Sequence, residues 1–235
     1  MSGPPVVLVP GMLCTADLWR HQLDALPGAE VVELGGDSVD AAARRVLSVP
    51  HERFVLVGLS LGGIVAMTAA LAAAPERIAG LGLVSTSARP PRPDQRAGWD
   101  ATAARADDPA GCAEDLWPAL VHPRRRDDAG LREQVVRMAR DTGRSGLLDQ
   151  LAVQRSRVDL RPQLPALRCP VVVVSGDGDG LAPPDAHAEI AALVPGATLV
   201  TVPGAGHLLP LEAPAEVTAS LRALLPGRAP RVLQG

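Results

Sequence analysis

A chain of 235 residues with 47% hydrophobic and 21% charged residues has the apolar mass for one substantial core and the composition of an ordinary globular enzyme. Its formal net charge of −3 offers no basic face for nucleic acid, and no run of about 18 uncharged apolar residues is present to span a membrane. With neither lysine nor tyrosine, the chain excludes lysine Schiff bases, P-loop nucleotide binding and Tyr/Lys hydride-transfer sites.

Three cysteines, Cys14, Cys112 and Cys169, lie far apart with no C-x-x-C, which argues against a disulfide framework or a zinc site. Met1-Ser2-Gly3-Pro4-Pro5 lacks the basic start and long apolar run of a signal peptide, so a cytoplasmic location is expected. Arg124-Arg125-Arg126 is followed directly by Asp127-Asp128, the pattern of a self-neutralised loop.

In chain order, Val6-Val7-Leu8-Val9 is a short β-branched run halted by Pro10-Gly11, hence a first strand. Ala16 to Leu26 has helical spacing, with Trp19 among its apolar residues, and Pro27-Gly28 closes it. Val31 to Leu34 reads as a second strand and Asp40 to Val49 as a helix. Phe54-Val55-Leu56-Val57 is an unbroken apolar strand of the kind buried on both faces, and the Ala-rich run from Ile64 to Leu71 reads as a buried helix. Between them stands Gly58-Leu59-Ser60-Leu61-Gly62-Gly63. A strand turning into a helix over so few residues strains Ser60, and the glycines permit the crossing. The serine hydroxyl is then held at the tip of a nucleophile elbow, and the Leu61 N–H, at a helix N-terminus, can stabilise a developing oxyanion.

Ile78 to Val84 is the next buried strand. From Arg89 to about Leu164 strand-like runs vanish in favour of helical periodicity over 93–106, 109–121, 129–141 and 144–156. Residues 89–164 are therefore expected to form a helical cap on a core made of 1–88 and 165–235. The strand–helix rhythm resumes at Pro170, with strands at 171–174 and 198–202 and helices at 184–194 and 214–225. The Pro/Arg tail after Pro226 is expected to fray. Alternating buried strands and helices predict a parallel sheet of about six strands with helices on both faces, an α/β fold.

Ligands of such sheets sit at the carboxyl ends of the strands. Met12, Ser60, the Asp177/Asp179 loop and His207 each follow a strand and fall at that one edge. A serine hydroxyl needs an imidazole to take its proton, and the imidazole needs a carboxylate to fix its tautomer, so Ser…Asp…His in this order is a coherent nucleophilic set. Of five histidines, His207 alone lies in a Gly-flanked loop after a strand; His21, His51, His122 and His187 read as surface residues of helices and loops.

The chain resembles the capped, cofactor-free α/β-hydrolases, on the enol-lactonase and carboxylesterase side of that superfamily. Four blocks carry the resemblance: Leu8 to Met12 with Trp19, the Ser60 elbow, Gly176-Asp177-Gly178-Asp179 with Pro183, and Gly204-Ala205-Gly206-His207. It implies Ser60 as nucleophile, His207 as base, and the backbone N–H groups of Met12 and Leu61 as oxyanion donors. It selects Asp179 over Asp177, because the family's acid lies three residues past the strand-ending glycine, with a proline four further on. Asp177 is left to accept loop N–H groups in an Asx-type turn. Pro10 and Leu59 stand where the family often carries histidines, and the family's leading hairpin is missing.

The function so implied is hydrolysis of an ester, lactone or thioester of a small-to-medium apolar substrate, with no metal or organic cofactor. The pocket is expected to be aliphatic: Met12, Leu61, Leu181 and Leu208, with Trp99 or Trp117 from the cap, since aromatic residues make up only 2% of the chain. Two alternatives remain: C–C cleavage or elimination by the same triad, and a non-catalytic ligand-binding protein on this scaffold.

Overall fold

Continuous apolar runs become strands only where both faces of the sheet are covered, and alternate residues of each strand here feed two separate cores. Val6, Leu8, Val55, Val57, Leu59, Val172 and Val174 enter one; Val7, Val9, Phe54, Leu56, Leu81, Leu83, Val171 and Val173 enter the other. The structure is a computed structural model and describes residues 3–225. The tail after Pro226 lies outside the described residues.

In order, the elements are β1 (Val6–Val9), a 3-10 turn (Ala16–Trp19) running into α1 (Arg20–Ala25), β2 (Ala29–Val31), α2 (Val39–Leu47), β3 (Phe54–Leu59), α3 (Leu61–Ala72) and β4 (Ile78–Val84). Then come α4 (Pro93–Ala104), α5 (Pro109–Leu120), α6 (Ala129–Arg155), β5 (Val171–Gly176), α7 (Pro184–Leu193), β6 (Thr198–Val202), α8 (Leu209–Glu212) and α9 (Pro214–Arg222). All six strands are parallel, in the order β2-β1-β3-β4-β5-β6. Asp108 and Asp128 cap α5 and α6 by accepting from Gly111 N and Leu131 N, at 2.8 and 3.0 Å.

The second strand sits earlier than Val31–Leu34. It pairs with β1 through Ala29, Glu30 and Val31, and the ladder ends as Val32 N donates to Leu8 O at 2.9 Å. β2 is an edge strand of half-buried residues, so the backbone turn at Gly28 (φ 81°), not the apolar run, sets its start.

Between β4 and β5 the chain forms α4, α5 and α6 with no strand. It leaves the sheet at Ala88 and returns at Leu160, whose N–H donates to Ala88 O at 3.0 Å. Helix α6 bends at Gly143 (φ 65°, ψ 176°), which separates its two halves. Polar contacts spread along its length tie this helix and its end to the core. Gln134 Nε2 donates to Asp17 Oδ2 at 2.9 Å, Leu13 N donates to Gln150 Oε1 at 2.8 Å, and Val39 N donates to Ser156 Oγ at 2.8 Å. Among the described residues no helix is long and apolar enough to cross a membrane.

Candidate active site

The turn between β3 and α3 allows one residue, and Ser60 takes it with φ 55° and ψ −115°. That conformation costs an L-residue about 1–3 kcal/mol. Its surroundings hold it there. Ser60 N donates to Val84 O at 2.9 Å, Thr86 Oγ1 donates to Ser60 O at 2.7 Å, and Gly63 N and Ile64 N take the same carbonyl at 3.0 and 3.2 Å to start the helix. The crossing is so close that a Cβ on Gly58 would meet the Gly62 carbonyl, and one on Gly62 would meet the carbonyls of Val9 and Pro10. Ser60 is partly exposed while Leu61 behind it is fully buried. The N–H groups of Leu61 and Met12 donate to no other group among the described residues.

The strand order sets the exits of β3, β5 and β6 along one edge, and the last two bring Asp179 and His207 into contact. His207 Nδ1 lies 2.9 Å from both Asp179 oxygens. A carboxylate only accepts, so Nδ1 carries the proton and Nε2 presents its lone pair. Both residues are buried, His207 at 2% exposure. Asp179 Oδ1 also accepts from Leu181 N and Ala182 N, at 2.9 and 2.8 Å. Burial alone would raise the Asp179 pKa, but electrostatic attraction to His207 and its hydrogen bond, with those two N–H groups, hold it below the ordinary carboxylate value. Ser60 Oγ makes no hydrogen bond among the described residues; the Asp179–His207 contact is formed and a Ser60–His207 contact is not.

The Asx-type turn expected at Asp177 is made by Asp179 instead, through Leu181 and Ala182. Asp177 Oδ1 reaches across to Gly204 N at 2.8 Å, because the β5 and β6 exit loops run side by side. His187 is not a surface residue either. It is fully buried, with Nε2 accepting from Thr86 N at 2.9 Å, and burial pushes its pKa below the ordinary imidazole value. The β4 exit next to it is strained, with Ser85 at φ 47° and its buried hydroxyl without a partner among the described residues.

Glu212 packs against the His207 loop and has no counterpart in the reading of the sequence. Its carboxylate accepts from Gly206 N at 3.1 Å and Leu208 N at 3.2 Å, the two neighbours of His207, and from His122 N at 2.8 Å. The N–H groups of His207 and Leu208 are also taken by Leu120 O of α5, each at 3.1 Å. The His207 loop is thus clamped from two sides. Burial raises the Glu212 pKa and the three N–H groups pull it back. A signal existed: Glu212 is the one acidic residue in the apolar run from Pro203 to Ala215.

Of the expected pocket residues, Met12 is partly exposed, Leu61, Leu208, Trp99 and Trp117 are buried, and Leu181 is 39% exposed. Trp117 Nε1 donates to Arg126 O at 3.0 Å, and Trp99 lies under the Arg157 guanidinium, 5.7 Å from its ring centre. A cavity of about 270 Å³ between Val39, Thr68 and Val158 lies away from Ser60. The Cys14 thiol is pushed up to about 12 by burial, and burial raises Cys112 and Cys169 as well, so none is poised as a nucleophile. Among the described residues no cluster of three or more His, Cys, Asp or Glu side chains is arranged to hold a metal ion.

The chain is similar to known proteins along most of its length. Polyketide synthase ThaQ of Burkholderia thailandensis is 32% identical over 87% of the chain, which spans only 11% of that protein. A pimeloyl-[acyl-carrier protein] methyl ester esterase of Edwardsiella ictaluri is 30% identical over 95% of the chain and 93% of its own length. A solved thermophilic esterase from Thermogutta terrifontis superposes with a TM-score of 0.85 at 29% identity, over 94% of this chain and 89% of that one. Residues 37–214, from the entry of α2 to the start of α9, match the family described as the alpha/beta hydrolase fold, and the chain belongs to that family.

Proposed function

We propose that this hydrolase of ester bonds works through an acyl-enzyme on Ser60, with His207 as general base and acid and Asp179 as its orienting carboxylate. The observation that carries the reading is the strained, partly exposed Ser60 directly ahead of the free Leu61 N–H. The buried Asp179–His207 pair supports it with the correct tautomer. In the first half-reaction Ser60 Oγ attacks the carbonyl carbon and His207 Nε2 takes the hydroxyl proton. The carbonyl oxygen becomes an oxyanion facing the N–H groups of Leu61 and Met12. Collapse breaks the bond to the alcohol or thiol, which leaves with the proton from His207. Water then repeats the sequence on the acyl-serine, releasing the acid and restoring Ser60. The Ser60–His207 contact closes when substrate binds, as catalytic hydrogen bonds commonly do.

The substrate in this reading is a small-to-medium apolar carboxylic ester, lactone or thioester. Likeness to a methyl ester esterase over nearly the whole chain favours the simple ester. Helices α4 to α6 serve as the lid. The pocket draws on Met12, Leu61, Leu181 and Leu208, with Trp99 or Trp117 above.

Covalent labelling tests the mechanism. A fluorophosphonate should add one adduct, mapped by peptide mass to Ser60, and Ser60→Ala should lose both the adduct and roughly 10⁴- to 10⁶-fold in kcat on aryl esters. Ser60→Ala retaining more than a tenth of the activity sinks the proposal. Turnover of β-diketones in place of aryl esters would assign the same triad to C–C cleavage.

A further inference from the structure

We infer that Gln150, on the second half of α6, is a positioning residue for the oxyanion-binding loop. The inference rests on the reading of Met12 N–H as an oxyanion donor. Met12 lies in a tight turn closed by Cys14 N donating to Gly11 O at 3.3 Å. Gly11 O belongs to the same peptide plane as Met12 N–H and points the opposite way. Closing the turn therefore turns Met12 N–H outward. The next plane is set by Leu13, whose φ of 60° is the left-handed value found at the third position of a type II turn. Glycine normally fills that position, and a leucine there needs an external hold.

Gln150 supplies the hold. Its Oε1 accepts the Leu13 N–H at 2.8 Å, although the two residues are 137 positions apart. Both are buried, at 3% exposure each, so water does not replace the contact readily. Without the acceptor, the central peptide of the turn can rotate to the form with negative φ at Leu13. Such a rotation changes ψ at Met12 and loosens the Cys14–Gly11 closure that aims the Met12 N–H, and with it the anion site. The contact also makes the helices between β4 and β5 part of the catalytic geometry, because the donor loop follows β1 in the core while its clamp belongs to α6.

The test uses Gln150→Met, a near-isostere with no oxygen, Gln150→Leu as a second acceptor-free variant, and Gln150→Glu, which keeps the acceptor. Each is assayed for kcat and KM on an aryl acetate, and for inhibition by a trifluoromethyl ketone that forms a hemiketal oxyanion on a serine. The acceptor-free variants should lose about 10- to 100-fold in kcat with KM within twofold, and trifluoromethyl ketone affinity should fall by a similar factor. Gln150→Glu should recover most of both. Unchanged inhibitor affinity in a folded acceptor-free variant, or a loss that Gln150→Glu does not recover, overturns the inference. A wild-type chain that fails to label at Ser60 overturns the ester-hydrolase mechanism instead, so the two failures are distinct.

Discussion

Asp179 and Asp177 share one loop, and asparagine at each position separates their roles. Asp179 accepts from His207 Nδ1 on both oxygens and from the N–H groups of Leu181 and Ala182 on Oδ1. In Asp179→Asn the remaining oxygen keeps the two backbone donors, and the new amide NH₂ faces Nδ1. Two donors then meet, or the imidazole moves its proton to Nε2 and can no longer accept from Ser60. A wrong tautomer costs on the order of 10⁴ in kcat, about 5.5 kcal/mol of barrier. The lost charge-assisted bond, partly offset because a neutral amide escapes the cost of a buried charge, lowers stability by about 1–2 kcal/mol. At this chain length that is a fall of about 2–8 °C in the midpoint. Because the folded pKa of Asp179 is depressed, its contribution is present above the unfolded carboxylate pKa and lost as pH falls through the folded value. The wild-type advantage should therefore narrow below the ordinary aspartate range. Asp177→Asn keeps an oxygen for Gly204 N at a half-exposed site, so its effect should stay below about 0.5 kcal/mol with kcat near wild type. Stopped assays and thermal melts on both variants decide the matter; a dead Asp177→Asn beside an active Asp179→Asn would refute the assignment.

Three further outcomes follow from the geometry. Ser60→Gly should raise the melting midpoint by a few degrees while abolishing turnover, since glycine takes φ 55° without strain; a lower midpoint would mean the elbow stores none. Glu212→Gln keeps one oxygen but turns an NH₂ toward a backbone N–H, so a loss of about 1–3 kcal/mol and a kcat fall exceeding any KM change are expected, and wild-type kinetics would remove Glu212 from the His207 clamp. His187 has a depressed folded pKa, so the unfolded chain binds the extra proton first and stability declines as pH drops below the ordinary imidazole value. In melts from pH 8 to 5, His187→Gln should show a shallower decline than wild type; parallel curves would rule the residue out as the acid-sensitive group.

Features that were legible in the sequence are those with a local cause. Apolar runs at 54–57 and 171–174 read as strands covered on both faces, and they lie within β3 and β5, while Gly58-x-Ser60-x-Gly62 marked a close crossing at a tight turn. Misread features have partners far along the chain. The burial of His187 follows from Thr86 N, 101 residues away, and the clamp on His207 joins Glu212 to His122 across 90 residues. β2 was displaced because an edge strand is fixed by its neighbour's backbone rather than by its own side chains. Swapping the turn role between Asp177 and Asp179 had the same origin, since the Gly204 N–H that engages Asp177 arrives from the next exit loop.

The hydrogen bond between Leu160 N and Ala88 O has a consequence for how this protein could be rebuilt. β4 and β5 are adjacent in the sheet, so the stretch from Ala88 to Leu160 begins and ends at neighbouring points, sealed at the base. The sheet's register does not depend on the length of what lies beyond that seal, and closure entropy grows only slowly with length. Helices from another member of the family could be spliced in at Ala88 and Leu160 as a cassette. The points of attachment to the scaffold that the graft would need to reproduce include a glutamine to meet Leu13, a partner for Asp17 and a hydroxyl for Val39. They also include the Leu120 carbonyl and His122 N–H that meet the His207 loop and Glu212, and the Arg89 side chain that pairs with Asp185 and Glu189.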